Sequence, residues 1–213
     1  MNRTLGQGTV STPGREVVAS AIALSVPPRV RLRVSPAGFR KLCRANPDLR
    51  LERSTLGDLE VMSPASVESG RRNARLTTRL GVWSEADGTG EHFDSSTGFT
   101  LPNGATRSPD ASWVLKDRWM ALTPEQQGSF APLCPDFVAE LRSPSDDKSK
   151  LRNKMAEYIA QGARLGWLLD PLDETVEIYQ PDPPVETLQK PSTLSGENVL
   201  PVLTLDLKGI LFV

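Results

Sequence analysis

At 213 residues, with 38% hydrophobic and 24% charged residues and a net charge of −1, the chain has the make-up of one globular domain with some extension and can bury a proper core. Two cysteines exclude a disulfide scaffold and a thiolate metal site, and a single histidine leaves no histidine cage and no Ser/His/Asp triad. The small net charge hides an asymmetry: residues 1–80 carry fourteen Lys and Arg against six Asp and Glu, and residues 81–213 carry eleven against twenty. That split suits a carboxylate metal site inside a phosphate-binding rim, and it equally suits two solvated faces that offset one another.

Residues 1–25 are polar until the short apolar run Val17–Leu24. The long polar lead and Glu16 beside the run speak against a signal peptide, so this stretch is expected to be a flexible extension and residues 26–213 one domain, in the reducing cytoplasm with Cys43 and Cys134 free. No run reaches the ~18 apolar residues of a membrane span. Ser35-Pro36 predicts a helix start, and Phe39, Leu42 and Cys43 follow at helical spacing to about Asn46. Leu49 to Ser63 alternates around Leu56-Gly57-Asp58 and predicts a hairpin, with Leu59 and Val61 on one face and Glu60 and Met62 on the other. A second helix is predicted over Val67 to Trp83, with Asn73, Leu76, Leu80 and Trp83 inward. Arg71, Arg72, Arg75 and Arg79 take other positions, and their charge makes them candidate phosphate contacts. Glu91 to Val114 predicts a hairpin: Phe93–Leu101 out, Pro102-Asn103-Gly104-Ala105 as the turn, Pro109–Val114 back. Asp110 then begins a strand at the mouth of the sheet, and residues 119–134 make a polar surface excursion.

The stretch Pro135–Asp170 organises the chain. Phe137, Ala139 and Leu141 alternate with Val138, Glu140 and Arg142, so a carboxylate and a guanidinium project from the same face of one strand. Ser143-Pro144-Ser145-Asp146 stops that strand and offers helix-start oxygens. Leu151, Met155, Tyr158 and Ile159 lay down a helical stripe that ends at Gly162, with Lys154 on its edge. Gly166-Trp167-Leu168-Leu169-Asp170 reads as a central strand closed by Pro171. The unit is β-α-β, which predicts parallel pairing of its two strands, and Thr175–Gln180 is expected to pair with the second. Val185–Gln189 and Val202–Val213 are read as short terminal strands or turns.

Pro109-Asp110, Glu140 in AELRSPSD and Lys154 in NKMAEYIAQGARLGWLLDP, together with LRLERSTLGDLEVMSPAS and FDSSTGFTLPNGATRSPDASWV, resemble the family of putative restriction endonucleases of the Uma-two type, a branch of the PD-(D/E)XK nuclease superfamily. The resemblance runs from about Val26 to the C-terminus. It implies an α/β fold, a PD-(D/E)XK nuclease-like central mixed β-sheet flanked by α-helices, with an N-terminal helix and hairpin added. It also implies a Mg²⁺- or Mn²⁺-dependent endonuclease acting on DNA, with no membrane partner and a homodimer as one option.

Asp110 and Glu140 are the candidate metal ligands, because hard divalent cations take oxygen ligands and are held by one or two carboxylates plus waters and substrate phosphate. Each residue alone also fits a structural role, Asp110 as a turn cap and Glu140 as a partner of Arg142. In the resembled fold the Leu141 carbonyl completes the ligand set. Arg142 occupies the place of the lysine in an E-x-K pattern, and arginine cannot be deprotonated to act as a base. The resemblance therefore gives the catalytic cation to Lys154, with Arg142 a phosphate clamp or a partner of Glu140. Glu68 reads either as a helix-dipole partner linked to Arg72 or as an accessory acid of the metal site. Two alternatives stay open on the same fold: a catalytically inactive nucleic-acid-binding module and a protein-interaction module.

Overall fold

The computed structural model describes residues 30–182 and 184–212; the extension expected over residues 1–25 lies outside them. Ser35 accepts the Gly38 N–H and Pro36 takes the first helical position, which starts α1 (Pro36–Ala45) and buries Phe39. β1 (Arg50–Arg53) and β2 (Leu59–Met62) form the expected antiparallel hairpin. Gly57 at φ 89 makes its turn, a conformation that other residues adopt at a cost. α2 (Val67–Asp87) starts on the Ser66 hydroxyl and stops at left-handed Gly88. It runs a turn past Trp83 because no breaker precedes that glycine and Ser84 is buried.

The next strands are β3 (Gly90–Asp94), β4 (Phe99–Thr100), β5 (Thr106–Arg107) and β6 (Ala111–Leu115). Here the structure departs from the hairpin expected over residues 91–114. β3 pairs with β6, while the short β4–β5 hairpin leaves them to join β1 in a second sheet. Asp94 breaks the outgoing strand, since its Oδ1 accepts from the Ser96 N–H and hydroxyl. Pro109, which has no N–H to give a ladder, breaks the return. α3 (Lys116–Met120) and α4 (Pro124–Gln127), the latter opened by a Thr123/Gln126 capping box, carry the chain over the surface.

The chain then lays down β7 (Phe137–Leu141), α5 (Lys148–Ala160), β8 (Leu165–Asp170), β9 (Thr175–Tyr179), β10 (Glu186–Gln189), β11 (Thr193–Ser195) and β12 (Thr204–Asp206). β7 and β8 pair in parallel through the α5 crossover, and β9 pairs antiparallel to β8. The six-stranded sheet runs β10-β9-β8-β7-β6-β3, the four-stranded sheet β2-β1-β5-β4, and β11 pairs with β12. All of these elements fall in one unit, Leu32–Val213.

Alternation along the central strands builds two cores. Trp113, Phe137, Ala139, Trp167 and Leu169 face Leu76 and Leu80 of α2 together with the C-terminal segment. Val114, Val138 and Leu168 face Met155 and Tyr158 of α5, with Phe99, Leu101 and Ala105 beside them. Each buried aromatic contributes on the order of 1.5–3 kcal/mol. The α5 face also carries Glu140, one residue in five on an otherwise apolar strand and only 4% exposed. An ionisable group buried at that depth is costly without partners, so its surroundings define the site.

Candidate active site

The β6–β7 register pairs Ala111 with Ala139, Ser112 with Val138 and Trp113 with Phe137. Continued by one residue it sets Asp110 opposite Glu140, and directly opposed residues of an antiparallel pair share a face. Asp110 Oδ2 accepts the Leu141 N–H at 2.9 Å. One residue further the register meets Pro109, which has no N–H for the Leu141 carbonyl. The Pro-Asp dipeptide thus ends the ladder and leaves two carboxylates and a main-chain carbonyl together at this end of β6 and β7.

α5 crosses above this end, and its i, i+4 pair Lys154 and Tyr158 reaches down together. Lys154 Nζ lies 2.9 Å from Glu140 Oε1, and the Tyr158 hydroxyl donates to the same oxygen at 3.0 Å. Both contacts of Glu140 fall on Oε1. Lys154 also lies 2.9 Å from Glu52 Oε1 on β1. Glu52 accepts the Ser108 N–H and pairs with Arg107, which in turn binds Glu60 and Glu157. Arg50 closes the rim, its Nη2 3.1 Å from the Ser108 carbonyl and 3.5 Å from Asp110 Oδ1.

Among the described residues five carboxylates (Glu52, Glu60, Asp110, Glu140, Glu157) meet three cations (Arg50, Arg107, Lys154) in this cluster. Burial pushes Glu140 up to about 7; Lys154 pulls it down against that, and the charges of Asp110 and Glu52 add to the rise. Burial raises Asp110 too, against the Leu141 N–H and Arg50. On Glu52 burial is outweighed by Lys154 and Arg107, so its carboxyl lies below the ordinary value. Burial works against the Lys154 ammonium, but Glu140 and Glu52 overcome it and raise its pKa. Asp110 and Glu140 are therefore the carboxyls whose ionised forms the protein compensates least.

Whether these residues fit a divalent cation is a question of donor chemistry. Among the described residues no three His, Cys, Asp or Glu side chains form a ready-made cage, which disfavours Zn²⁺ or a protein-enclosed Ca²⁺ site. Two hard carboxylates, a carbonyl that Pro109 cannot pair and the partial exposure of Asp110 and Arg50 match a Mg²⁺-type ion that keeps waters and takes a phosphate. The set fits.

Of the residues expected from the sequence, Asp110, Glu140, Leu141 and Lys154 come together. Arg142 does not join them: register places it opposite Asp170, to which it donates at 2.9 Å, with Asp173 at 3.5 Å and Lys148 sharing both carboxylates. The pairing of Arg142 with Glu140 is thereby replaced by one with β8, whose Asp170 is held below the ordinary value, burial being outweighed by Lys148 and Arg142. Glu68 is spent on Arg71 and Arg72, and its bond to Arg71 holds it down at about 2. On α2, Arg72 donates to the Ile210 carbonyl, Arg75 to Gly209, and Arg79 to Asp206 and Lys208. Arg71, Arg75 and Arg79, with Ala74 and Thr78, line a groove of about 310 Å³. Glu52, Tyr158 and Arg50 are site residues that sequence reasoning passed over. The signal for Glu52 was its place in Arg50-Leu51-Glu52-Arg53, an alternation that puts Arg50 and Glu52 on one face.

The mixed sheet flanked by helices is a fold shared with a solved protein, described as a putative nuclease belonging to DUF820 from Anabaena variabilis. The two superpose with a TM-score of 0.70 at 19% identity, over 84% of this chain and 97% of the other, which establishes a common fold. Residues 36–208 match the model of the Uma2 family, described as putative restriction endonuclease, and the chain belongs to that family. No curated protein matches it. No helix among the described residues is long and apolar enough to cross a membrane.

Proposed function

We propose that the chain is a metal-dependent endonuclease that hydrolyses DNA phosphodiester bonds at the Asp110–Glu140 mouth, in the cytoplasm. The observation that carries this reading is the convergence of two opposed carboxylates, the Leu141 carbonyl and Lys154 at one end of the central strands β6 and β7. Asp110, Glu140 and the Leu141 carbonyl would hold Mg²⁺ or Mn²⁺, and such an ion neutralises phosphate charge and lowers the pKa of an attacking water.

The chain's own groups divide the remaining work. Lys154 keeps its proton, so it does not act as the base; it favours the ionised form of Glu140 and is placed to stabilise negative charge on the reacting phosphate. Tyr158 fixes the rotamer of Glu140 through Oε1. Glu52 holds Lys154 in place, and Arg107 balances Glu52. Arg142, bound to Asp170, braces the strand end below the site rather than lending it a cation. An accessory role for Glu68 requires its release from Arg71 and Arg72. Arg71, Arg72, Arg75 and Arg79 supply a cationic flank for the DNA backbone. Arg71 and Arg72 share the one carboxylate of Glu68 and Arg79 lies 3.7 Å from that of Asp206, while the bonds of Arg72, Arg75 and Arg79 to carbonyls use donors without cancelling charge.

The test is an assay on supercoiled and single-stranded DNA with Mg²⁺ and with Mn²⁺. Wild type should nick or linearise DNA in a way that a chelator stops, and a folded Glu140→Ala should not. Equal cleavage by the two proteins refutes the reading.

A further inference from the structure

Arg50 differs from the other two cations of the cluster in how its donors are used. Arg107 and Lys154 sit on carboxylates at 2.7–3.2 Å. Arg50 reaches a carboxylate only at 3.5 Å, and its one shorter contact is to a neutral carbonyl. Among the described residues its Nε is shut off from solvent without a hydrogen-bond partner, and its contacts with Ser108 and Asp110 both use Nη2. A guanidinium offers five N–H donors in a fork shaped for two oxygens of one anion, and a buried donor left unmade is costly. The side chain is one-third exposed, beside Asp110. It is a permanent cation with its fork partly unspent.

We propose that Arg50 is a substrate-binding residue: its guanidinium takes a non-bridging oxygen of the DNA phosphate at the cleavage site. This rests on the nuclease reading above. The contact to Asp110 is long, so Arg50 would lose little if that carboxylate held a cation. Asp110 would then hold the metal that neutralises the phosphate, and Arg50 would bind the phosphate directly, while Lys154 stays on Glu140 and Glu52. Arg50 acts by binding, and no proton passes through it, since arginine stays charged.

The experiment separates phosphate binding from support of Asp110. In the background Glu140→Gln, which removes one repelling charge, a labelled DNA duplex is titrated without metal at several salt concentrations. Adding Arg50→Ala should weaken binding about tenfold or more, as loss of a charge-assisted bond does. It should also reduce the slope of log affinity against log salt by about 0.9. In parallel, Mn²⁺ is titrated calorimetrically into wild type and into the single variant Arg50→Ala. Affinity there should be equal or tighter, because a cation competing for Asp110 is gone. An unchanged slope and DNA affinity overturn the proposal while leaving the nuclease reading standing. Loss of Mn²⁺ affinity in a folded Arg50→Ala also overturns it, by making Arg50 a positioning residue for Asp110. A Glu140→Gln protein that binds no DNA at low salt sinks both readings together.

Discussion

Glu140→Gln should stabilise the metal-free protein, and only towards neutral and alkaline pH. In the fold, burial pushes this carboxyl up to about 7 from an ordinary value of 4.5. A carboxyl whose folded value lies above its unfolded one holds its proton longer in the fold. The native state therefore loses stability as pH rises through the window from about 4.5 to about 7, and the loss is complete above it. At about 1.4 kcal/mol for each pKa unit, the ionised form costs the fold about 3 kcal/mol. The attraction of Lys154 is already contained in that figure, because it is one of the causes that set the folded value. Glutamine keeps the shape and an acceptor oxygen for Tyr158 and Lys154, and carries no charge. Urea unfolding in the presence of a chelator should give the variant a gain of about 3 kcal/mol at about pH 8, shrinking towards zero near pH 4.5. Saturating Mn²⁺ should then stabilise wild type and leave the variant unmoved, since only a binder of the folded state shifts the equilibrium. A variant less stable than wild type at the higher pH refutes the reasoning, and would mean that Glu140 is at ease as a paired anion.

Lys154→Ala should abolish most cleavage while Mn²⁺ affinity survives in calorimetry, and Lys154→Arg should rescue little, because a delocalised planar fork does not place the compact point charge of an ammonium. Loss of Lys154 also leaves two buried carboxylates without their shared cation, so unfolding should show a deficit of about 3–5 kcal/mol. Arg142→Ala should cost about 1–3 kcal/mol by uncovering the buried Asp170, of which Lys148 then becomes the remaining cation, yet leave kcat of the folded protein near wild type. A dead but folded Arg142→Ala beside an active Lys154→Ala would transfer the catalytic cation to the arginine. Replacing Arg72 and Arg79 with Ala should speed hydrogen exchange across residues 206–210, whose carbonyls they hold, and should lower the salt slope of DNA binding by roughly one for each lost phosphate contact. Faster exchange with an unchanged slope confines these arginines to bracing the C-terminal segment.

The parts of the fold that sequence made legible are those written locally. Ser-Pro before α1, the Gly57 turn and the stripe Leu151, Met155, Tyr158 each carry their own geometry. The β-α-β run of residues 137–170 predicts its own parallel pairing, and the position of Lys154 on the stripe's edge followed from helical spacing. What stayed hidden depends on pairings between distant strands. Glu52 reads as an ordinary hairpin residue until β1 joins β5 through Arg53 and Thr106, which turns its face onto α5. Arg142 has the expected face, but its partner is set by the β7–β8 register, and that register offers Asp170. The expected single hairpin over residues 91–114 missed the handover between sheets, although Asp94 with Ser96, and Pro109, mark both ends of it. The α2 arginines look solvated on a helical wheel, and only the returning C-terminal segment gives them carbonyls to hold.

The central claim is that Asp110 and Glu140 together hold a divalent cation. Titration of Mn²⁺ into the chelator-treated 213-residue chain, read by calorimetry, tests it most directly, with Asp110→Asn and Glu140→Gln measured alongside. Wild type should bind one or two ions with proton release at about pH 6.5, where Glu140 still carries part of its proton, and each variant should lose the tightest site while remaining folded. Binding of equal affinity in all three proteins would contradict the account.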